Sequence, residues 1–153
     1  KSHVLRVVRE LLYTEPQRTG TSIKCALDYL LKVAKRKSVV FIISDFLDQD
    51  YWSSLKVVNR KHDVIGIRLY DHAETDMPDM GLAKVEDPET GESFWVDTSS
   101  KDARTRLKKE IQVRQEIFQK DTRKIGFDLI PISTNQDYVE PLMSFFRMRE
   151  KRY

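Results

Sequence analysis

The run Val39-Val40-Phe41-Ile42-Ile43 constrains this chain more than any other segment. It is too short for a free-standing helix and too evenly apolar for a strand with one wet face. It therefore predicts a strand buried on both faces, as a parallel sheet covered by helices requires. Asp63-Val64-Ile65-Gly66-Ile67-Arg68-Leu69-Tyr70 predicts a second buried strand. The first run passes into Ser44-Asp45 and the second into Asp71. Open α/β sheets bind ligands in the crevice at the carboxyl ends of their strands, so these acids are the first candidates for chemistry. A plainer role competes for Asp45, because Ser and Asp after a strand also build the turn or cap the next helix.

Helical periodicity fills the spaces between. Val4, Leu5, Val8, Leu11 and Leu12 outline an amphipathic first helix that stops before Pro16 and Gly20. Thr21 or Ser22 can cap a second helix with Ile23, Ala26, Leu27, Leu30, Leu31 and Ala34 inward. Lys32, Lys35, Arg36 and Lys37 near its carboxyl end suit the helix dipole. Asp48 or Asp50 can start a third helix with Trp52, Leu55 and Val58 inward. After a polar loop from His72 to Gly81, residues 82–85 and 93–96 flank a turn-rich segment and predict a β-hairpin inserted over 82–96. Ser99 and Asp102 give a capping-box-like start to a long helix with Leu107, Ile111, Phe118 and Ile125 inward, stopped by Gly126. Residues 127–132 predict a third strand, placed at a sheet edge because Pro131 cannot donate to a ladder. A final helix begins just before Pro141 and carries Tyr138, Leu142, Phe145 and Phe146.

With 153 residues, 40% of them hydrophobic, the chain can bury one core and is read as one domain. Its 27 Lys and Arg face 24 Asp and Glu, a net charge of +3, which lacks the concentrated positive charge of a nucleic-acid binder. The long helix holds nine basic residues against four acids between Lys101 and Lys124, either a solvated face or a contact surface for phosphates, an anionic membrane or an acidic partner. Arg147, Arg149, Lys151 and Arg152 carry the same double reading. The lone Cys25 precludes an internal disulfide and, with no signal-like start, points to a cytoplasmic setting; it reads as an inert packing residue. No apolar stretch is long enough to cross a bilayer. Lys1 is not an initiator, so the chain is read as a piece of a longer protein whose upstream part could hold a membrane anchor.

Enzyme motifs are sparse. Neither the dinucleotide fingerprint nor the P-loop is present, and no cluster has zinc-ligand spacing. His62 reads as a helix cap or surface residue and His72 as a loop residue. A hydrolytic set of Ser44, one of these histidines and Asp71 lacks the usual Gly-x-Ser-x-Gly elbow. No catalytic residue and no cofactor is assigned to the chain.

Thr19-Gly20-Thr21-Ser22-Ile23 before the Ala26-Leu27-Asp28-Tyr29-Leu30 helix, followed by residues 38–47, resembles the bacterial family called domain of unknown function 58. Lys61-His62-Asp63-Val64, Asp87-Pro88-Glu89-Thr90-Gly91-Glu92, Trp95-Val96-Asp97-Thr98 and Phe145-Phe146-Arg147-Met148-Arg149 extend the resemblance over nearly the whole chain. It implies a three-layer, Rossmann-like parallel sheet similar to von Willebrand factor A domains. The sheet would be incomplete, carry the hairpin insertion and lack an upstream first strand. Such domains hold magnesium through an Asp-x-Ser-x-Ser loop, a threonine and a later aspartate. Thr21 matches the threonine and Asp45 the late aspartate, while no Asp-x-Ser-x-Ser occurs in the 153 residues. Only part of the ligand set is present, so magnesium is expected in the full-length parent and not in this piece.

The resemblance further implies an adaptor that works with a MoxR-type AAA+ ATPase, or its clients, in chaperone-like assembly or stress response. Its interaction crevice would gather Thr21, Ser44, Asp45 and Asp71. The competing expectation is a small-molecule phosphate-binding or hydrolytic α/β enzyme using the same crevice. An unpaired edge at residues 39–43 is expected to drive self-association, unless the first helix folds over it.

Overall fold

The structure, a computed structural model, describes residues 2–14, 20–71, 78–86 and 92–151. His72, residues 87–91 of the hairpin turn and Arg152 lie outside them. In chain order the elements are α1 (Ser2–Tyr13), α2 (Ile23–Val33), β1 (Val39–Ser44), α3 (Trp52–Lys61), β2 (Asp63–Tyr70), β3 (Leu82–Glu86), β4 (Ser93–Asp97), α4 (Lys101–Ile125), β5 (Asp128–Ser133) and α5 (Val139–Glu150).

β1, β2 and β5 form a parallel sheet in that order, with Val39 opposite Asp63 and Ile65 opposite Asp128. β5 is an edge strand, and its Pro131, opposite Arg68, is exposed, as a residue without an N–H requires. β3 and β4 pair antiparallel as a separate hairpin. Two cores lie on opposite faces of the sheet. On one, Ile23 and Leu27 of α2, Leu55 and Val58 of α3 and Phe118 of α4 pack with Val64 and Phe127. On the other, Phe145 of α5 packs on Ile65, Ile130 and Ile132. The molecule is thus a mixed α/β domain of three layers, helix, sheet and helix.

Side chains tie the layers at both ends. Arg149 of α5 donates to Asp63 at 2.7 Å and lies 3.7 Å from Asp128, clamping the starts of β2 and β5, so this basic residue is structural. Ser54 of α3 donates to Asp28 of α2 at 2.8 Å. Thr98, buried at the hairpin base, accepts from Met80 N at 2.9 Å and donates to Gly81 O at 2.7 Å; its own carbonyl accepts from Arg104 of α4.

Five expectations are corrected. β1 is not buried on both faces: Val39, Phe41 and Ile43 stay 59%, 48% and 64% exposed, because α5 packs over β5, with Phe146 meeting Phe41 of β1. The apolar stripe of α1 is likewise exposed, Leu11 at 79%, so α1 does not cover that face. α3 starts at Trp52 behind Tyr51, without a side-chain cap from Asp48 or Asp50. Ser100, not Ser99, caps α4 by accepting from Ala103 N, while Ser99 donates to Asp97. Cys25 is exposed and packs in no core, whereas His62 caps α3 through its backbone yet is only 2% exposed.

Candidate functional site

The turn that leaves β1 is built by its own side chains. Ser44 Oγ accepts from Phe46 N at 3.0 Å and donates to Asp45 Oδ1 at 3.3 Å; that oxygen also accepts from Leu47 N at 3.1 Å. Asp45 therefore makes the turn, the plainer of its two roles. Asp48 then joins the turn to the neighbouring helix. Its Oδ2 accepts from Ile23 N, the first residue of α2, at 2.7 Å, while Oδ1 accepts from Gln49 N at 2.7 Å. Ser22 caps the same helix by accepting from Cys25 N, so two side chains serve one helix start, where a carboxylate also meets the favourable end of the dipole.

Two non-glycine residues in this short segment have left-handed backbones, Phe46 at φ 61° and Asp50 at φ 62°. Each costs on the order of 1–2 kcal/mol and persists only where surrounding structure enforces it. For Phe46 the enforcement is aromatic packing. Its ring is buried 5.6 Å from Phe118, 6.0 Å from Phe127 and 6.1 Å from Tyr51. Tyr51 donates to Phe46 O at 3.5 Å, and burial, with Asp48 adding to it, pushes its hydroxyl well above the ordinary tyrosine range. Arg68 of β2 lies over the Phe118 ring at 4.8 Å, with its Nε buried and lacking a hydrogen-bond partner among the described residues.

Fixing Phe46 inward turns its neighbour outward, and Leu47 is 52% exposed. Leu47 borders a crevice of about 250 Å³ that runs past Asp48 and Trp52 to Arg114 and Ile117 of α4. On the opposite side of the turn an apolar groove of about 390 Å³ runs between α2 and β1, with Thr21 and Ser44 at one end and Ala26, Leu30, Val40 and Ile42 along it.

The four expected residues divide. Thr21 and Ser44 line one groove and Asp45 adjoins it, exposed. Asp71 follows β2 and accepts from Thr134 Oγ1 at 2.8 Å, on the β5 side. The donors do not fit a magnesium site by themselves: Asp45 is its single expected carboxylate, one oxygen is engaged by the turn, and among the described residues no three His, Cys, Asp or Glu side chains converge on a metal-sized space. Nor can Ser44 and His62 act together, since His62 precedes β2 at the amino end of the sheet and Ser44 ends β1, about 20 Å away at strand rise. Sequence reasoning missed Phe46 and Arg68 as anchors, and it gave Asp48 to the wrong helix. Nothing in the spacing of Ser22-Ile23 and Asp48 announces a contact across 25 residues.

A parallel three-stranded sheet flanked by helices, with a side-chain-built turn at the carboxyl end of its outer strand, defines an α/β domain with a preformed surface at that end. The chain belongs to the family described as Protein of unknown function DUF58, whose sequence profile matches residues 1–117. It is 26% identical over 129 residues to "Uncharacterized protein MAV169" of Mycobacterium avium, covering 82% of this chain and 75% of that protein. It is 28% identical over 131 residues to "Uncharacterized protein Mb1516" of Mycobacterium bovis and to "Uncharacterized protein Rv1480" of Mycobacterium tuberculosis, in each case spanning 82% of this chain and 40% of the relative. No solved structure matches the chain significantly. Among the described residues no helix is long and apolar enough to cross a membrane.

Proposed function

We propose that this chain is a cytoplasmic protein-interaction module of von Willebrand factor A type, an adaptor for a MoxR-type AAA+ ATPase in chaperone-like assembly or stress response. The family membership supports the class. One observation carries the surface: the turn after β1 holds an apolar side chain, Leu47, out to solvent on a backbone whose strain is locked by Phe46, Asp45 and Asp48. A strained, anchored loop with an exposed apolar tip is already ordered for binding and loses little entropy on contact. The crevice that Leu47 lines gives it apolar company in Trp52, Ile117 and Phe118, the setting in which a single side chain contributes most to an interface.

The test is a titration of the purified chain against a MoxR-type ATPase from the same genome, by interferometry. Leu47→Asp is expected to weaken binding about tenfold or more, roughly 1.4 kcal/mol, with the urea midpoint unchanged because Leu47 is exposed. Absence of binding by the natural chain, or equal binding by the variant, refutes the proposal.

A further inference from the structure

Helix α4 is longer than the sheet it serves. Its 25 residues span about 37 Å at the helical rise, against about 20 Å for the six residues of β5 that it leads into. Its buried residues, Phe118 and Thr122, accordingly lie in its second half, and the first half extends past the carboxyl end of the sheet.

The extension carries a mixed face. Arg106, Lys109, Glu110, Val113, Arg114 and Ile117 follow one another at helical spacing and line a groove of about 560 Å³. Val113 and Ile117 are 47% and 55% exposed, and Arg114 and Ile117 also line the crevice at Leu47, so the two hollows share a wall. An apolar seam thus runs from Leu47 across Ile117 to Val113. The cations beside it are unpaired. Elsewhere on α4, Arg104 lies 3.3 Å from Asp79 and Lys124 lies 2.8 Å from Asp121, whereas Arg106, Lys109 and Arg114 reach no carboxylate among the described residues.

We infer that this groove takes an amphipathic helix of a partner protein, with its apolar stripe on Val113 and Ile117 and its acidic side chains against Arg106, Lys109 and Arg114. Backbone chemistry selects a helix. An extended segment needs a free strand edge for its N–H and C=O groups, which a helix face does not offer, whereas a helix satisfies its own backbone. Residues 106, 110, 113 and 117 step by four, three and four, the spacing at which two helices interdigitate. Charge sets the sign of the partner. Three cations against Glu110 draw acidic side chains, and the separate acids of a helix can stand opposite the cations and clear of Glu110. A nucleic acid or an anionic membrane presents continuous negative charge, which Glu110 and Asp48 would meet as well.

This occupant presupposes the Leu47 crevice as a contact surface, as proposed above, so the test uses peptides and no ATPase. Two labelled helical peptides have leucines at spacings of three and four residues, flanked by glutamates in one and by lysines in the other. Both are titrated against the full chain by fluorescence anisotropy. The glutamate peptide is expected to bind about tenfold more tightly or better, and less tightly as salt rises. Arg114→Glu should weaken it about fivefold or more and Val113→Gln about threefold or more. Circular dichroism should not change, since both residues are exposed and outside both cores. Lys101→Glu, an equal charge change on the other side of α4, should leave binding as it was. Equal binding of the two peptides, binding of neither, or full affinity kept by Arg114→Glu overturns the inference. So does binding to phosphatidylserine vesicles in place of the peptides, which would make the groove a membrane contact. Failure of the ATPase titration leaves the peptide outcomes unchanged, so the two readings fall separately.

Discussion

Gly66 lies in the middle of β2, where a Cβ would stand 2.5 Å from Phe127 Cζ, 2.8 Å from Phe127 Cε1 and 2.9 Å from Leu129 Cδ1. Carbon atoms attract best at about 3.5 Å or more, so Gly66→Ala requires the Phe127 ring to withdraw by about 1 Å. The ring has no free space to take up, because it is buried against Phe46, which is itself held by Tyr51 and Phe118. Overpacking of this kind costs about 1–3 kcal/mol, offset by about 0.5–1 kcal/mol from replacing glycine in a strand. A net loss of about 1–2 kcal/mol is expected in urea unfolding, read as a lower midpoint at constant slope. Trimming the obstructing ring tests the cause. Phe127→Leu destabilises the natural chain by leaving a cavity, but in the Gly66→Ala background it should cost less, giving a favourable coupling of about 0.5 kcal/mol or more. Natural stability in Gly66→Ala, or strict additivity in the double variant, would refute this account.

Two further outcomes concern the ends of the sheet and the hairpin. Asp48→Ala removes the acceptor for both Ile23 N and Gln49 N and should lower stability by about 1–2 kcal/mol in urea unfolding, with Asp48→Asn recovering part of the loss; an unchanged midpoint would show that the α2 contact contributes nothing. The Asp97 carboxyl is held below its ordinary 3.8, first by the Ser99 hydroxyl and then by the Ser99 N–H. Its folded value lies below its unfolded one, so its contribution to stability is present above the ordinary carboxylate value and is lost as pH falls through the folded value. Ser99→Ala should move the Asp97 titration, followed by NMR, upward toward the ordinary value, and an unmoved titration would exclude the hydroxyl as the cause.

Much of the fold was legible because period and punctuation are local properties. The bounds of β2 follow from its apolar run, the edge position of β5 from Pro131, and the end of α4 from Gly126, whose φ of 61° is the left-handed stop that glycine accommodates most readily. The turn after β1 was only half legible. Ser44 and Asp45 announce a turn by residue type, but the left-handed Phe46 is set by Phe118 and Phe127, at least 72 residues downstream, and no local pattern encodes that packing. His62 was likewise half legible: its place as the cap of α3 holds, and its burial was missed. Its cap position concerns the backbone, whereas its burial depends on how α3 and β2 sit together, leaving neither ring nitrogen with a hydrogen-bond partner among the described residues.

The discrepancy at β1 has a different origin. Val39, Phe41 and Ile43 are as apolar as the buried residues of β2, yet the elements of one chain cover only the alternate positions Val40 and Ile42. Periodicity reports that a strand is apolar on both faces, but which face is covered depends on where the helices sit: α2 and α3 pack with Val40 and Ile42, while α5 lies on Ile130 and Ile132 of β5, at the other side of the sheet.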